Sequence, residues 1–350
     1  MRQTIFYIIL CTVCLSFSSC KKDGKKSYEE YADSGLTVRT ENMKENLKNL
    51  HEKGVLIGQM YGTICGAGWE GDTLRSDINS VCGEFTACTG YELSDTRSGE
   101  DYNGMPLPVI RKDILQMTRR GGLVLLKWLL PEPAGEDDLE EMAASMAQFL
   151  NSLEDGYGKK SPVVLFPMPL DEEEWYATLS VEESKRLYSK MAEMIREEAK
   201  NVVLGFSISS SMIEKAPLLL PEECSLLEMT VPQATEGELG EQRWKALTGK
   251  LQKLSSIAKE KNLALGITLG DYCEKDSAYW SKGVLPLITS SPLAYALFRE
   301  NSGIGGAVLA ACPYPGSPDI ADFMTLYNDK RTLFSHDLNG LYLKAKKEEK

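Results

Sequence analysis

Residues 163–209 read VVLFPMPL DEEEWYATLS VEESKRLYSK MAEMIREEAK NVVLGFSIS, and this stretch decides the fold. Val163–Pro169 is an apolar run of strand length, as expected for a strand covered on both faces. Ser180-Val181-Glu182-Glu183 has the form of a capping box. Its serine hydroxyl and third-residue carboxylate satisfy the open N–H groups of a starting helix. That helix is expected to run to about Lys200. Val202–Ser209 then returns as a second apolar strand. Strand, helix and strand in this order form a βαβ unit of a parallel sheet.

The same alternation continues in both directions. Val55–Met60, Phe85–Leu93 and Gly122–Leu130 are expected as the first three strands, so Val163–Pro169 is the fourth and Val202–Ser209 the fifth. Leu226–Gln233, Leu263–Leu269 and Gly306–Cys312 follow as the sixth to eighth. Asp138–Leu153 is an amphipathic helix, with Leu139, Met142, Met146, Phe149 and Leu150 on one face. Gln242–Lys261 is another helix, and Asp319–Tyr327 a third, with Asp319 as N-cap behind Pro318. Eight strands alternating with helices over about 300 residues fit a single (β/α)8 TIM barrel. An open doubly wound sheet is the alternative. However, Gly303-Ile304-Gly305-Gly306 lacks the spacing of a phosphate loop and precedes a strand rather than following one.

The chain ends read differently. Residues 1–19 carry one charge, Arg2, before an apolar run from Ile5 to Phe17, the pattern of a signal peptide. Phe17-Ser18-Ser19-Cys20 resembles the lipobox of bacterial lipoproteins, which makes Cys20 the lipidated first residue of the mature chain. Phe17 stands where leucine is usual. The expected layout is signal peptide 1–19, lipid-anchored tether 20–37, barrel 38–345 and charged tail 346–350. The protein is thus expected to be exported and membrane-anchored, at the outer membrane or cell surface.

Loss of Arg2 lowers the basic count from 39 to 38 against 51 acids, and the net charge from −12 to −13. Such a surface repels phosphates and anionic headgroups, so no nucleic acid partner is expected and a neutral ligand is favoured over an acidic one. Besides Cys20, the mature chain has Cys65, Cys82, Cys88, Cys224, Cys273 and Cys312, in spacings that match no metal motif. With only two histidines, His51 and His336, neither metal nor other cofactor is expected.

In such barrels the chemistry sits at the C-terminal ends of the strands. After the fourth strand comes Leu170-Asp171-Glu172-Glu173-Glu174-Trp175-Tyr176. After the seventh comes Gly270-Asp271-Tyr272-Cys273-Glu274. Carboxylates beside aromatic rings suit a sugar, whose hydroxyls need acceptors and whose ring stacks on aromatic faces. A run of four acids is also an ordinary helix start, where negative charge meets the helix dipole.

Several blocks in one order resemble glycoside hydrolase family 26, whose best-known members are endo-β-1,4-mannanases. They are Gly58-Gln59-Met60-Tyr61-Gly62, Gly68-Trp69-Glu70-Gly71, Gly121-Gly122-Leu123-Val124 with Trp128, Val164-Leu165-Phe166 and Tyr295–Asn301. Ser76-Asp77, Gly83, Pro313-Tyr314-Pro315-Gly316, Asp322-Phe323, Leu333–Leu338 and Leu341-Tyr342 complete the set. The resemblance implies a neutral polysaccharide such as mannan as ligand, and the aromatics expected near the strand tops, Trp128, Trp175, Tyr176 and Phe298, favour a sugar.

The departures from the family pattern are as informative. Asp171 falls on the family's general acid and Leu170 on the histidine before it. Thr268 falls on the strand-seven nucleophile, between Ile267 and Leu269. Lys127 and Leu129 replace the serine and histidine of Ser-Trp-His. A threonine cannot form the glycosyl ester of a retaining mechanism. The first expectation is therefore a cell-surface polysaccharide-binding protein with impaired catalysis. The alternative is an active glycanase with Asp171 and Asp271 as a substitute pair. A third is a structural subunit working with other glycan-uptake proteins.

Overall fold

A computed structural model of the protein describes residues 29–345 apart from 73, 235–239, 272–277 and 304–306. In it, the stretch that opened the sequence reading folds as expected. Val163–Pro167 is a strand, Val181–Glu198 a helix and Val202–Ser209 the next strand. The capping box forms, with Glu183 N donating to Ser180 Oγ at 3.3 Å and Ser180 N donating to Glu183 Oε2 at 3.0 Å.

Eight parallel strands form the barrel, with the short Thr332–Leu333 pairing alongside the first: β1 Val55–Met60, β2 Cys88–Leu93, β3 Leu123–Trp128, β4 Val163–Pro167, β5 Val202–Ser209, β6 Leu226–Val231, β7 Ala264–Leu269 and β8 Tyr295–Phe298. Each pairs with the next. β8 then pairs back onto β1, with Leu56 opposite Tyr295 and Gln59 opposite Phe298, so the sheet closes. The result is a single (β/α)8 barrel. Helices surround it, among them α1 Val38–Asn49 before β1, α2 Asp77–Cys82 before β2, α3 Leu107–Arg119 after β2, α4 Glu136–Ser152 after β3, α5 Val181–Glu198 after β4, the short α6 Ala216–Leu219 after β5 and α7 Glu241–Lys261 after β6. In α4, Leu139, Met142, Met146 and Leu150 are buried while Glu136, Asp137 and Asp138 occupy its first turn, where acids favour the helix dipole.

Large and absent side chains alternate inside the barrel. A side chain at Gly205 would begin 2.4 Å from the Phe166 ring, and one at Gly266 only 2.1 Å from Tyr295. Both glycines are the space that their neighbours' rings fill. The interior is thus packed, and any cleft must lie above it.

Two sequence expectations change. The eighth strand is Tyr295–Phe298, not Gly306–Cys312. Leu309–Ala310 pairs antiparallel with Asn301–Ser302 in a small hairpin outside the barrel, while residues 304–306 lie outside the described set. The tether expected over 20–37 is described from Glu29 onward, and there it is bound to the barrel. Lys160 N donates to Glu29 Oε2 at 2.5 Å and Thr37 N donates to Lys200 O at 2.9 Å, while Tyr31 and Thr37 bridge each other within the segment. Helix α1, Val38–Asn49, then packs across the lower ends of β5 and β7. The signal peptide, Cys20 and the charged tail lie outside the described residues.

A candidate sugar cleft over a buried ion pair

A cavity of about 250 Å³ opens at the C-terminal ends of the strands, where barrel sites form. Glu92 from β2, Lys127 from β3 with Leu129 just beyond it, and Thr230 and Val231 from β6 line it. So do Thr268 from β7 with Gly270 just beyond it, Arg299 beyond β8, Pro169, Leu170, Asp171, Glu173 and Glu174 after β4, and Tyr102.

Its floor is a hydrogen-bonded ion pair. Lys127 Nζ lies 3.1 Å from Glu228 Oε1, and both residues are buried. Ser207 Oγ donates to the same oxygen at 2.7 Å. Thr268 Oγ1 and the Tyr295 hydroxyl each donate to Oε2 at 2.7 Å. Five strands, β3, β5, β6, β7 and β8, thus contribute to one carboxylate. Burial, and then the Glu228 charge, push the Tyr295 phenol well above its ordinary value, so it stays a neutral donor. A charge pair this deep persists only when its partners are satisfied, and Glu228 has four. At 0% exposure it offers no oxygen to a ligand.

The walls are acidic. Asp171 lines the cavity and accepts from Glu172 N at 2.7 Å. Glu173 and Glu174 stand beside it. Burial, reinforced by Asp171, raises the Glu174 carboxyl above its usual range, so it keeps its proton to higher pH than an exposed glutamate. Across the mouth, Arg299 Nη1 meets Glu92 Oε1 at 2.5 Å. Chemically, this arrangement offers carboxyl acceptors for hydroxyl groups and one acid that is half withdrawn from water. Among the described residues no cluster of histidine, cysteine and acidic side chains is placed to hold a metal.

The expected site residues divide. Asp171 and Thr268 reach the cleft. Asp271 is buried, and both its oxygens are committed. Arg243 donates to them at 2.6 and 2.8 Å, Ala234 N at 3.0 Å and the Tyr279 hydroxyl at 3.1 Å. It fastens the start of α7 to the end of β7 and is not available as the partner of Asp171. Tyr272, Cys273 and Glu274 lie outside the described residues.

Of the four expected sugar-binding aromatics, three are core residues. Lys127 points into the barrel to meet Glu228, so its neighbour Trp128 must point outward into the helix layer, where it is fully buried. The same alternation turns Leu297 inward and packs Phe298 edge-on against Trp280 at 5.2 Å. Tyr176 is buried, with its hydroxyl donating to Pro169 O at 3.0 Å. Trp175 is half-buried, and its indole N–H donates to Leu130 O at 2.8 Å.

Sequence reading missed Glu92, Arg299, Tyr102 and the buried pair. A signal for the pair was present. Lys127 and Glu228 are the single charged residues in the otherwise apolar strands LVLLKW and LLEMTV. Opposite charges inside buried strands survive only by finding each other.

No family model and no curated protein matches the sequence, but solved structures match the fold. A family 26 β-mannanase from Bacteroides ovatus superposes with a TM-score of 0.81 at 26% identity, covering 90% of this chain and 99% of that one. A family 26 protein from Muricauda sp. gives 0.76 at 17% identity, over 88% and 94%. An endo-β-1,4-mannanase from Cellulomonas fimi gives 0.75 at 19% identity, over 89% and 79%. With a closed barrel, a cleft at the strand ends and these likenesses, the chain has the scaffold of the family 26 β-mannanases.

Proposed function

We propose that the chain binds a neutral polysaccharide of the β-mannan type and no longer performs retaining hydrolysis. The observation that carries this reading is the floor of the cleft. At the end of β7, where the family resemblance puts a nucleophilic glutamate, Thr268 gives its hydroxyl to the buried Lys127–Glu228 pair. A threonine cannot form the glycosyl ester, and Glu228 is too deeply covered to attack an anomeric carbon. The carboxyl walls remain as acceptors for sugar hydroxyls. The similar structures from Bacteroides ovatus and Cellulomonas fimi are mannanases, which makes β-1,4-mannan the first ligand to try.

Glu174 favours a second reading. A carboxyl that burial, reinforced by Asp171, raises above its usual range suits a general acid, and an active glycanase would use these two acids as its pair. The two readings separate in one experiment. Titrate mannan, xylan and cellulose oligosaccharides by calorimetry and assay reducing ends in parallel. The binding reading expects heat without release of reducing ends above the buffer control. Release that disappears in Glu174→Gln would overturn it in favour of the enzyme.

The pattern around Phe17–Cys20 supports a further proposal. The mature protein is exported and held at the outer membrane or cell surface by lipid on Cys20, alongside other glycan-uptake proteins. Cys20→Ala is expected to move it to the soluble fraction. A wild-type chain that is already soluble with an unmodified N-terminus would overturn this.

A further inference from the structure

We infer that Tyr102 is the aromatic platform of the cleft, on which a pyranose ring of the bound glycan stacks. The inference rests on the binding reading above and names the residue that gives that site its ring-recognising surface. Trp128, Tyr176 and Phe298 are buried in the core and present no face to a ligand. Tyr102 is the opposite case, with 59% of its surface exposed while it lines the cavity.

Exposure alone means little, since single surface aromatics are common. What distinguishes Tyr102 is how firmly its backbone is held. Its own N–H donates to Glu92 O at 3.0 Å, tying it to the end of β2. Buried Asp101, immediately before it, accepts from the Tyr61 hydroxyl at 2.7 Å and from Asn103 N and Met105 N at 2.8 Å each. Asp101 N donates back to Met105 O at 2.9 Å, and Asn103 Nδ2 donates to the Tyr61 hydroxyl at 3.1 Å. The tip of the loop is thus fixed from both sides while the ring between the fixed points faces water.

A preset aromatic surface loses little conformational freedom when a ligand settles on it, so more of the contact energy appears as affinity. The C–H face of a β-linked sugar is apolar and fits such a ring, while its hydroxyls need acceptors. Asp171 and Glu174, which line the same cavity, supply them. Tyr102 therefore selects for a ring with one open apolar face, and the carboxyl wall fixes its rotation.

Calorimetric titration of the full mature chain with β-1,4-mannohexaose tests this in four proteins. Wild type and Tyr102→Phe should bind within about twofold of each other. Tyr102→Ala should bind about tenfold more weakly or worse, as expected for loss of a central aromatic contact. Tyr157→Ala should match wild type, because Tyr157 is 77% exposed on the loop between α4 and β4 and does not line the cleft. Wild-type binding that Tyr102→Ala leaves unchanged would overturn the platform alone. So would a loss in Tyr102→Phe as large as in the alanine variant, since the hydroxyl would then be the contact. No heat from wild type with mannohexaose or any other neutral glycan would overturn the binding reading and the platform together.

Discussion

At the residue scale, one carboxylate decides what the barrel can do. Glu228 is tied to Lys127, Ser207, Thr268 and Tyr295, so the floor of the cleft is a closed set of partners. Removing one member should be costly. Lys127→Met leaves Glu228 buried without its counter-charge and is expected to lower unfolding free energy by about 3–5 kcal/mol in urea titration. Lys127→Met with Glu228→Gln should recover much of that loss. The same closure limits any attempt to restore hydrolysis. Thr268→Glu would set a second acid against the single Lys127, so it is expected to destabilise the fold and to release no reducing sugar without a change at Glu228. Glu174 gives a pH-dependent counterpart. Its carboxyl is raised in the folded state, so the protonated form favours folding and the contribution fades as pH climbs through that raised value. Thermal melts of Glu174→Gln should therefore match wild type in acid and exceed it at neutral pH. These residues were legible in the sequence only in part. Lys127 and Glu228 are lone charges in apolar strands, a signal that the sequence reading passed over, and which strands face each other across a barrel is not written in local pattern.

At the element scale, the long strands and amphipathic helices followed from hydrophobic periodicity, because both faces of a barrel strand are covered and its sequence is almost wholly apolar. The eighth strand did not follow. Tyr295–Phe298 is four residues long, too short for its composition to stand out, and closure is what makes it a strand through its pairing with Ala264–Leu269 and Val55–Met60. The apolar 306–312 run looked more like a strand in isolation. Misreading the aromatics has the same kind of cause. Trp128 and Phe298 lie at strand tops, as expected, but a shift of one residue along a strand turns a side chain from the interior to the helix layer. Asp271 carries the remaining element-scale prediction. It ties α7 to β7 through Arg243, so Arg243→Ala should cost about 3–5 kcal/mol by leaving a buried acid unpaired. Asp271→Asn should likewise lower the melting temperature. A loss of ligand binding in that variant must accordingly be compared with its loss of fold.

At the scale of the whole molecule, the two mouths of the barrel have different tasks. The cleft occupies the C-terminal one. The N-terminal one is closed by α1 and stitched to the incoming chain, with Glu29 held by Lys160 ahead of β4 and Thr37 held by Lys200 ahead of β5. Cys20 stands nine residues before Glu29, and nine residues span at most about 30 Å. With the proposed lipid on Cys20, that stitching sets an orientation. A fluorophore on Tyr157→Cys, in the loop next to Lys160, should be quenched by lipid-borne quenchers in vesicles, and one on Tyr102→Cys should be quenched much less. Equal quenching would mean that the barrel tumbles freely on its leash. Otherwise the protein stands with its base to the bilayer and its opening toward the medium, like a cup set upright on a table, able to meet a passing polymer end or loop without turning around.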